Sequence, residues 1–211
     1  MSMTTSDGNV SRQTKAEARR RQVLDAASEC FRMHGFHSAS MAQICKSAKM
    51  SAGHIYNFFT CKEEIIEAIV KEDLAETLKI INELHNSDED FVDTMVSQLW
   101  RGVDRAMDLD NSALMLEVLA EAIRNPKVAQ MVRQSDMVIS GYVKALLRTS
   151  KKGVGQLEER DLNAITDLFS ALFNGLMCCA VMNPDLDREA MTKLLRKVVG
   201  HILDPDESAR P

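Results

Sequence analysis

Apolar residues along most of the chain recur at intervals of three and four, the spacing that lines one face of an α-helix. This pattern predicts helices over about residues 14–34, 40–48, 52–58, 60–84, 91–107, 112–123, 126–150, 157–181 and 187–203. No segment alternates polar and apolar residues in the way that a half-buried strand requires. Four prolines and nine glycines in 211 residues leave few breaks, which favours long helices. The sequence therefore predicts an all-α fold of about nine helices.

Three capping boxes indicate where helices begin in the first third of the chain. In such a box a Ser or Thr side chain accepts a hydrogen bond from the backbone three residues later, and a Glu or Gln there reaches back. The pairs are Thr14 with Glu17, Ser40 with Gln43, and Thr60 with Glu63. Ser51 is placed as the N-cap of a short helix between the second and third boxes. Gly35 fits the stop signal of the first helix.

Charge is distributed unevenly along the chain, although the net charge is only −5. Residues 1–62 contain nine Lys or Arg and four Asp or Glu, whereas the rest of the chain contains 17 basic and 27 acidic residues. A basic end on an acidic body suits a segment that binds a polyanion while the body avoids it. A chance imbalance is the alternative interpretation.

The sequence lacks the motifs of several classes of functional site. The chain contains no GxSxG motif, no glycine-rich phosphate loop, no metal-spaced set of His and Cys, and no paired catalytic carboxylates. The five cysteines show no CxxC spacing and are expected to be small buried side chains in a reducing cytoplasm. The first residues lack the apolar core of a signal peptide, and no stretch approaches a continuous membrane-spanning length. We therefore expect no enzyme, no metal, no cofactor and no membrane partner.

The run from Ala48 to Ile65, AKMSAGHIYNFFTCKEEI, resembles the helix-turn-helix of TetR-type transcriptional regulators. It is similar to the family's order of small residues, an aliphatic–tyrosine pair, two aromatic residues and a lysine–glutamate pair. The resemblance extends upstream through the Ser40 capping box and covers roughly residues 14–70. It implies a helix-turn-helix DNA-binding domain of three helices at 14–63 and a larger helical ligand-binding and dimerisation domain at 64–204. Residues 1–13 are polar and lack periodicity, so they are predicted to be a disordered arm, and residues 205–211 are predicted to be a tail.

The resemblance and the residue chemistry predict which side chains contact double-stranded DNA. The first turns of a recognition helix contact bases, so we expect Asn57 to pair with adenine and His54 to donate to guanine or a phosphate. Tyr56, Lys62 and Ser40 occupy positions where the family typically holds phosphates. The full predicted set is Ser40, Gln43, Ser51, Ala52, Gly53, His54, Tyr56, Asn57 and Lys62. The alternatives are solvated surface polarity for His54 and Asn57, and a packing role for Tyr56.

Two positions depart from the family's pattern. The family usually has glycine at the turn where this chain has Lys49, and a positive φ at a lysine would cost about 1 kcal/mol. A slightly different turn is the alternative at this position. Phe58 stands where many relatives have histidine, so one common partner of a phosphate or base is lost. Both departures make the operator sequence hard to predict from the family.

The last two predicted helices have more apolar surface than one core contact uses. Residues 169–182, FSALFNGLMCCAVM, are apolar on nearly every face, and two such helices from each subunit would form a four-helix bundle. The residues predicted for a homodimer interface are Leu172, Gly175, Leu176, Leu195, Val198 and Val199. A fully buried monomeric core is the alternative.

Methionine and aromatic residues on inferred inward faces of the second domain suit a cavity for an unidentified small-molecule effector. The residues predicted to line this cavity are Trp100, Met115, Phe169, Phe173 and Met177. Ordinary core packing is the alternative for each of them. Glu117 and Glu121 could face a cationic ligand, but surface glutamates are the simpler interpretation.

The resemblance implies a bacterial-type repressor of transcription in the cytoplasm, associated with the nucleoid. It would bind a near-palindromic operator as a dimer, and a small-molecule effector would release it by favouring another conformation. A DNA-bound structural or division-control protein on the same fold, without a small effector, is the alternative.

Overall fold

The computed structural model describes residues 6–204 of the chain, with side chains from Thr14 onward. These residues form ten α-helices and one short 3-10 turn, and they contain no strand. The helices are α1 (Ser6–Ser38), α2 (Met41–Ser47), α3 (Ala52–Tyr56), α4 (Lys62–His85), α5 (Phe91–Ser97), α6 (Trp100–Ala106), α7 (Leu109–Ala122), α8 (Pro126–Leu147), α9 (Glu159–Met182) and α10 (Arg188–Leu203). The 3-10 turn spans Gly153–Gln156. The predicted all-α class is confirmed.

α1 begins earlier than its capping box predicted. Its helical backbone starts at Ser6 rather than Thr14, which corrects the prediction of a disordered arm for residues 6–13. No proline interrupts this stretch, and a formed helix gains one hydrogen bond for each residue that extends it. The helix breaks at Gly35, where φ is 73° and ψ is 155°, as the stop signal predicted. The rest of the predicted arm, residues 1–5, and the predicted tail at 205–211 lie outside the described residues.

The described residues separate into two compact units. The first comprises residues 6–70 and Glu117–Ala129, and the second comprises residues 71–116 and 130–204. The first boundary follows Val70 rather than the predicted residue 63. The physical reason is burial, because Ile65, Ile66 and Ile69 at the start of α4 belong to the core of the first unit.

The core of the first unit is built from one apolar stripe on each helix. Val23, Ala27 and Phe31 follow at every fourth position of α1, and none is more than 1% exposed. Ile44 of α2 and Ile55 of α3 are fully buried. Burying such a side chain stabilises the fold by about 1.5–3 kcal/mol. Because a five-residue helix is not stable by itself, Ile55 accounts for the formation of α3 at this place.

The second unit contains one helix more than the apolar pattern predicted. The run from Phe91 to Met107, expected to be a single helix, forms α5 and α6 with a break at Gln98 and Leu99. Each step of four residues rotates about 40° beyond a full helical turn. Apolar residues at every fourth position therefore move gradually around a straight helix and would not all face the same core. The break lets Phe91, Leu99, Val103 and Met107 all remain buried.

Asp90 fixes the start of α5 and also holds the chain that follows α8. Its carboxylate accepts from the Val92 N–H at 2.9 Å, from the Ser150 hydroxyl at 2.8 Å and from the Lys151 N–H at 2.8 Å. Burial raises the pKa of Asp90, but these three hydrogen bonds outweigh it and keep the pKa below its usual value. The ionised carboxylate is therefore part of the structure of the second unit.

Candidate nucleic-acid interface

The N-terminus of α2 is closed by the predicted capping box. The Ser40 hydroxyl oxygen accepts from the Gln43 N–H at 3.3 Å, and Gln43 Oε1 accepts from the Ser40 N–H at 2.8 Å. Both residues are exposed. Because Gln43 Oε1 is used in the cap, a DNA contact by this side chain would have to come from its amide nitrogen.

The residues predicted to contact DNA around α3 are accessible. Ile55 is fully buried, whereas its neighbours on both sides along the chain are exposed, namely Ser51, Ala52, Gly53, His54, Tyr56 and Asn57. Gly53 is not packed against any other segment of the chain, so nothing crowds this turn from outside. The helix ends at Tyr56, two residues before its predicted end. This short helix and its two cap residues, Ser51 and Asn57, therefore present six of the nine predicted contact residues to solvent.

The turn between α2 and α3 has the left-handed backbone that the family's glycine would favour. Lys49 has a φ of 53°, and it is the only non-glycine residue with positive φ in the described part of the chain. Its N–H donates to the Lys46 carbonyl at 3.2 Å, and the Met50 N–H donates to the Cys45 carbonyl at 3.1 Å. These bonds satisfy the last carbonyls of α2. The predicted positive φ is confirmed, so the turn keeps its shape at a cost of about 1 kcal/mol.

Lys62, predicted to contact a phosphate, has a structural role within the first unit. Its ammonium donates to the backbone oxygens of Phe36 at 2.6 Å, His37 at 3.2 Å and Ala39 at 2.6 Å. An ammonium group has three donors, and all three have acceptors here. The first residue of α4 is thus bonded to the segment that joins α1 to α2. The predicted phosphate contact of Lys62 stays a prediction, and it would compete with these bonds.

The residues before α4 are held by Glu64 rather than by Glu63. The Thr60 N–H and hydroxyl donate to the two carboxylate oxygens of Glu64 at 2.6 Å and 2.8 Å. These hydrogen bonds lower the pKa of Glu64 below its usual value. The predicted box was wrong by one residue because α4 begins at Lys62, two residues after Thr60 rather than one.

Two aromatic residues that follow α3 make contacts that sequence reasoning did not assign. The Phe58 ring stacks on the His54 imidazole, with 5.9 Å between ring centres and 22° between ring planes. The Arg20 guanidinium lies 5.1 Å from the centre of the Phe59 ring, within the range of a cation–π interaction. The four-residue separation of His54 and Phe58 was a signal for the first contact, because residues four apart are neighbours on a helix.

Glu117 supplies a contact that no local pattern predicts. Its Oε2 accepts from the Phe36 N–H at 3.3 Å, across 81 residues of sequence. A Cβ at Gly35 would lie 3.4 Å from the same oxygen, so the carboxylate packs directly against the break in α1. Glu121, one turn later, is only 6% exposed, which corrects its interpretation as a surface glutamate.

Comparison with known proteins agrees with this helix-turn-helix geometry. Residues 23–69 match the bacterial regulatory proteins of the tetR family, and residues 83–204 match the C-terminal part of BetI-type transcriptional repressors. The chain belongs to the TetR family. It is 36% identical over 197 residues to the HTH-type transcriptional regulator UidR of Escherichia coli (strain K12), an alignment that covers 90% of this chain and 96% of UidR.

Solved structures show the same fold. Salmonella enterica GusR is 29% identical and has a TM-score of 0.70, with 88% of this chain and 95% of that chain covered. The fatty acid degradation regulator FadR from Bacillus halodurans has a TM-score of 0.74 at 19% identity, with 86% and 94% covered, and is similar in fold alone. This TetR-family chain is therefore a DNA-binding transcriptional repressor and not an enzyme.

The five residues predicted to line an effector cavity lie in different surroundings in this TetR-family protein. Phe169, Phe173 and Met177 of α9 are half-buried and pack against the core of the second unit. Met115 is also half-buried. Trp100 is 49% exposed, which corrects its assignment to an enclosed cavity. Its neighbour Leu99 takes the buried position, and consecutive residues at the start of a helix point in different directions.

Three of the six residues predicted for a dimer interface are buried within the chain itself. Leu176, Leu195 and Val199 belong to the core of the second unit. A side chain covered by its own subunit has no surface to offer a partner, so their assignment is corrected. Gly175 and Val198 are exposed, and Leu172 is half-buried. The prediction stays open for these last three.

Other apolar residues of the last two helices are exposed instead. We name this set the apolar face of α9 and α10. Its members are Leu168, Ala171, Gly175, Cys178 and Met182 on α9 and Leu194 and Val198 on α10. The steps of three and four residues on α9 place them along one side of that helix. In the described part of the chain, α9 is also the one helix long and apolar enough, by length and composition, to cross a membrane.

Proposed function

We propose that this TetR-family protein is a ligand-responsive repressor that binds a near-palindromic operator as a homodimer and leaves it when a small-molecule effector binds. The observation that carries the proposal is the accessible polar surface of α3 on a chain that also exposes an apolar face. A single short helix reads few bases, whereas a two-fold dimer places two of them about 34–36 Å apart. An operator with two related half-sites would match this arrangement.

The dimeric state is supported by the apolar face of α9 and α10. Leu168 and Met182 on α9 and Leu194 and Val198 on α10 leave large apolar side chains in water. Packing against a second copy would cover them and form a four-helix bundle from two helices of each subunit. A membrane would be the other way to cover α9, and a stable dimer in detergent-free buffer would argue against it.

The effector is proposed to bind in the second unit beside the half-buried residues Met115, Phe169, Phe173 and Met177. Thioethers and aromatic rings adapt to apolar or aromatic molecules. Release requires that the effector bind more tightly to a conformation in which the two recognition helices are wrongly spaced for the operator. Such a repressor would act at the nucleoid in the cytoplasm.

Footprinting tests the proposal directly. The full-length protein is incubated at near-physiological salt with DNA from upstream of its own gene and with a genome-wide fragment library. We expect the protein to protect a near-palindromic sequence. If neither sample contains a protected palindrome, the proposal is wrong. A metabolite library is then added to the protected complex. If no metabolite releases the protein from the DNA, the result favours a DNA-bound structural protein without an effector.

A further inference from the structure

We infer that Phe58 is a positioning residue that orients His54 for recognition of the operator sequence. The inference rests on the proposed operator binding. It adds the side chain that orients one of the residues predicted to contact a base, His54. The observation behind it is the stack of the two rings, 5.9 Å between centres and 22° between planes.

His54 has little else to orient it. It lies on a helix of five residues, and the residue before it, Gly53, has no side chain and is not packed against any other segment of the chain. Within the described part of the chain, no hydrogen bond or ion pair holds the imidazole. An exposed side chain on such a helix turns freely among its rotamers unless a neighbouring surface restricts it. The ring of Phe58 is that surface.

The backbone of Phe58 is held beside the core of the first unit. Its N–H donates to the Ile55 carbonyl at 2.8 Å, and its side chain is half-buried. The next residue, Phe59, is buried and anchors the backbone on the other side. A half-buried ring on a fixed backbone has fewer accessible rotamers than a fully exposed one, so Phe58 offers the imidazole a more restricted surface than a flexible neighbour would.

An oriented imidazole improves sequence discrimination more than overall affinity. A hydrogen bond to a base edge weakens steeply as its angle departs from linear. A side chain already held in the binding orientation also loses less conformational entropy when the complex forms. Contacts to phosphates do not distinguish bases, so they are unaffected by the orientation of His54. Loss of the Phe58 ring should therefore reduce the preference for one base pair.

The test uses the full-length protein and the operator found by footprinting. Four variants are compared: Phe58→Tyr, Phe58→Leu, His54→Ala and the double variant His54→Ala with Phe58→Leu. Fluorescence anisotropy gives the affinity for the operator and for every single-base substitution of one half-site. Phe58→Leu should reduce the preference at the base pair read by His54 by about tenfold. Phe58→Tyr, which keeps the six-membered ring, should retain this preference. In the His54→Ala background, Phe58→Leu should change nothing further.

Each remaining outcome overturns the inference. An equal loss of preference from Phe58→Leu with and without His54 would show that Phe58 supports the fold only. Thermal melting checks folding, and Phe58→Met, which fills similar volume without a ring, replaces Phe58→Leu if that variant unfolds. If His54→Ala binds the operator with unchanged base preference, His54 does not recognise a base and Phe58 cannot orient it for that purpose. The repressor proposal would still stand. If the wild-type protein protects no operator, both proposals fail.

Discussion

The ammonium of Lys62 donates to the backbone oxygen of Phe36 at 2.6 Å and lies 4.6 Å from the centre of the same residue's ring. Phe36 is buried against Phe31, with 5.2 Å between the ring centres. One cation at the start of α4 thus fixes the segment that leads from α1 into α2. The position of the helix-turn-helix depends on this contact.

Replacing Lys62 by methionine should lower the free energy of unfolding by about 2 kcal/mol, because carbonyl oxygens in a partly buried segment lose a charged donor. Urea denaturation followed by circular dichroism measures the change. Lys46→Met is the matched control, since Lys46 is an exposed lysine of α2, and it should leave the unfolding midpoint unchanged. Unaltered stability of Lys62→Met together with lost operator binding would favour the phosphate contact over the structural role of Lys62.

Replacing Lys49 by glycine should raise the free energy of unfolding by up to about 1 kcal/mol. Glycine adopts a φ of 53° without the steric cost that a Cβ imposes. The same change at Lys46, inside α2, should destabilise by about 1 kcal/mol because glycine is a poor helix former. Opposite shifts of the urea midpoint are the expected result. A destabilised Lys49→Gly would mean that its side chain supports the turn.

Tyr56 and Asn57 should respond differently to substitution although both are exposed. Tyr56→Phe removes one hydroxyl that is predicted to bind a phosphate, so it should weaken binding to all sequences by a similar factor of about three to ten. Asn57→Ala should instead change the preferred base at one position of each half-site, at a cost of about 1–3 kcal/mol for the original base. Selection from a randomised operator library distinguishes the two. Identical profiles would refute the assignment of Asn57 as a reader.

A charge on the apolar face should dissociate the dimer. Val198→Glu places a carboxylate where the second copy is proposed to pack, and burying it without a partner is unfavourable. Sedimentation velocity should show a monomer with an unchanged melting temperature, because Val198 is 48% exposed in the single chain. Ile123→Glu is the control, since this residue is exposed and lies off the apolar face. Dimers in both variants would place the interface elsewhere.

Asp90 should make the stability of the second unit depend on acid pH. Its pKa is lowered in the folded chain, so its contribution is present above the usual value of 3.8 and disappears as pH falls through the lower folded value. Asp90→Asn removes the charge and the acceptor of the Lys151 N–H, and should cost about 1 kcal/mol at neutral pH. The difference from wild type should vanish in strong acid. Asp88→Asn removes one charge at an exposed position and is the control for the loss of charge alone. A difference between Asp90→Asn and wild type that stays constant with pH would contradict the assignment.

The features that were predictable from sequence are those set by neighbours in the chain. The capping box at Ser40 needs only Gln43, and the stop at Gly35 needs only a residue without a Cβ. The positive φ at Lys49 followed from the family's turn. Exposure of the residues around Ile55 followed from helical periodicity and the family's motif. Each of these depends on a few consecutive residues, so the pattern contains the necessary information.

The features that were not predictable depend on tertiary contacts. Nothing local to Lys62 shows that three carbonyl groups of another segment surround it, and Glu117 meets Phe36 across 81 residues. The prediction that Leu195 and Val199 lie at the dimer interface was wrong for a related reason. When a helix is apolar on several sides, periodicity alone does not tell which side its own subunit covers.

The hydrogen bond from Phe36 to Glu117 has a consequence for protein engineering. A fragment cut after Val70 would retain α1, α2 and α3 but would lose Glu117–Ala129, the rest of the same compact unit. The Phe36 N–H would then lack its acceptor beside the break at Gly35. A transplantable DNA-binding module of this chain is therefore discontinuous in sequence, and hybrid regulators that exchange effector domains should keep both pieces from the same parent.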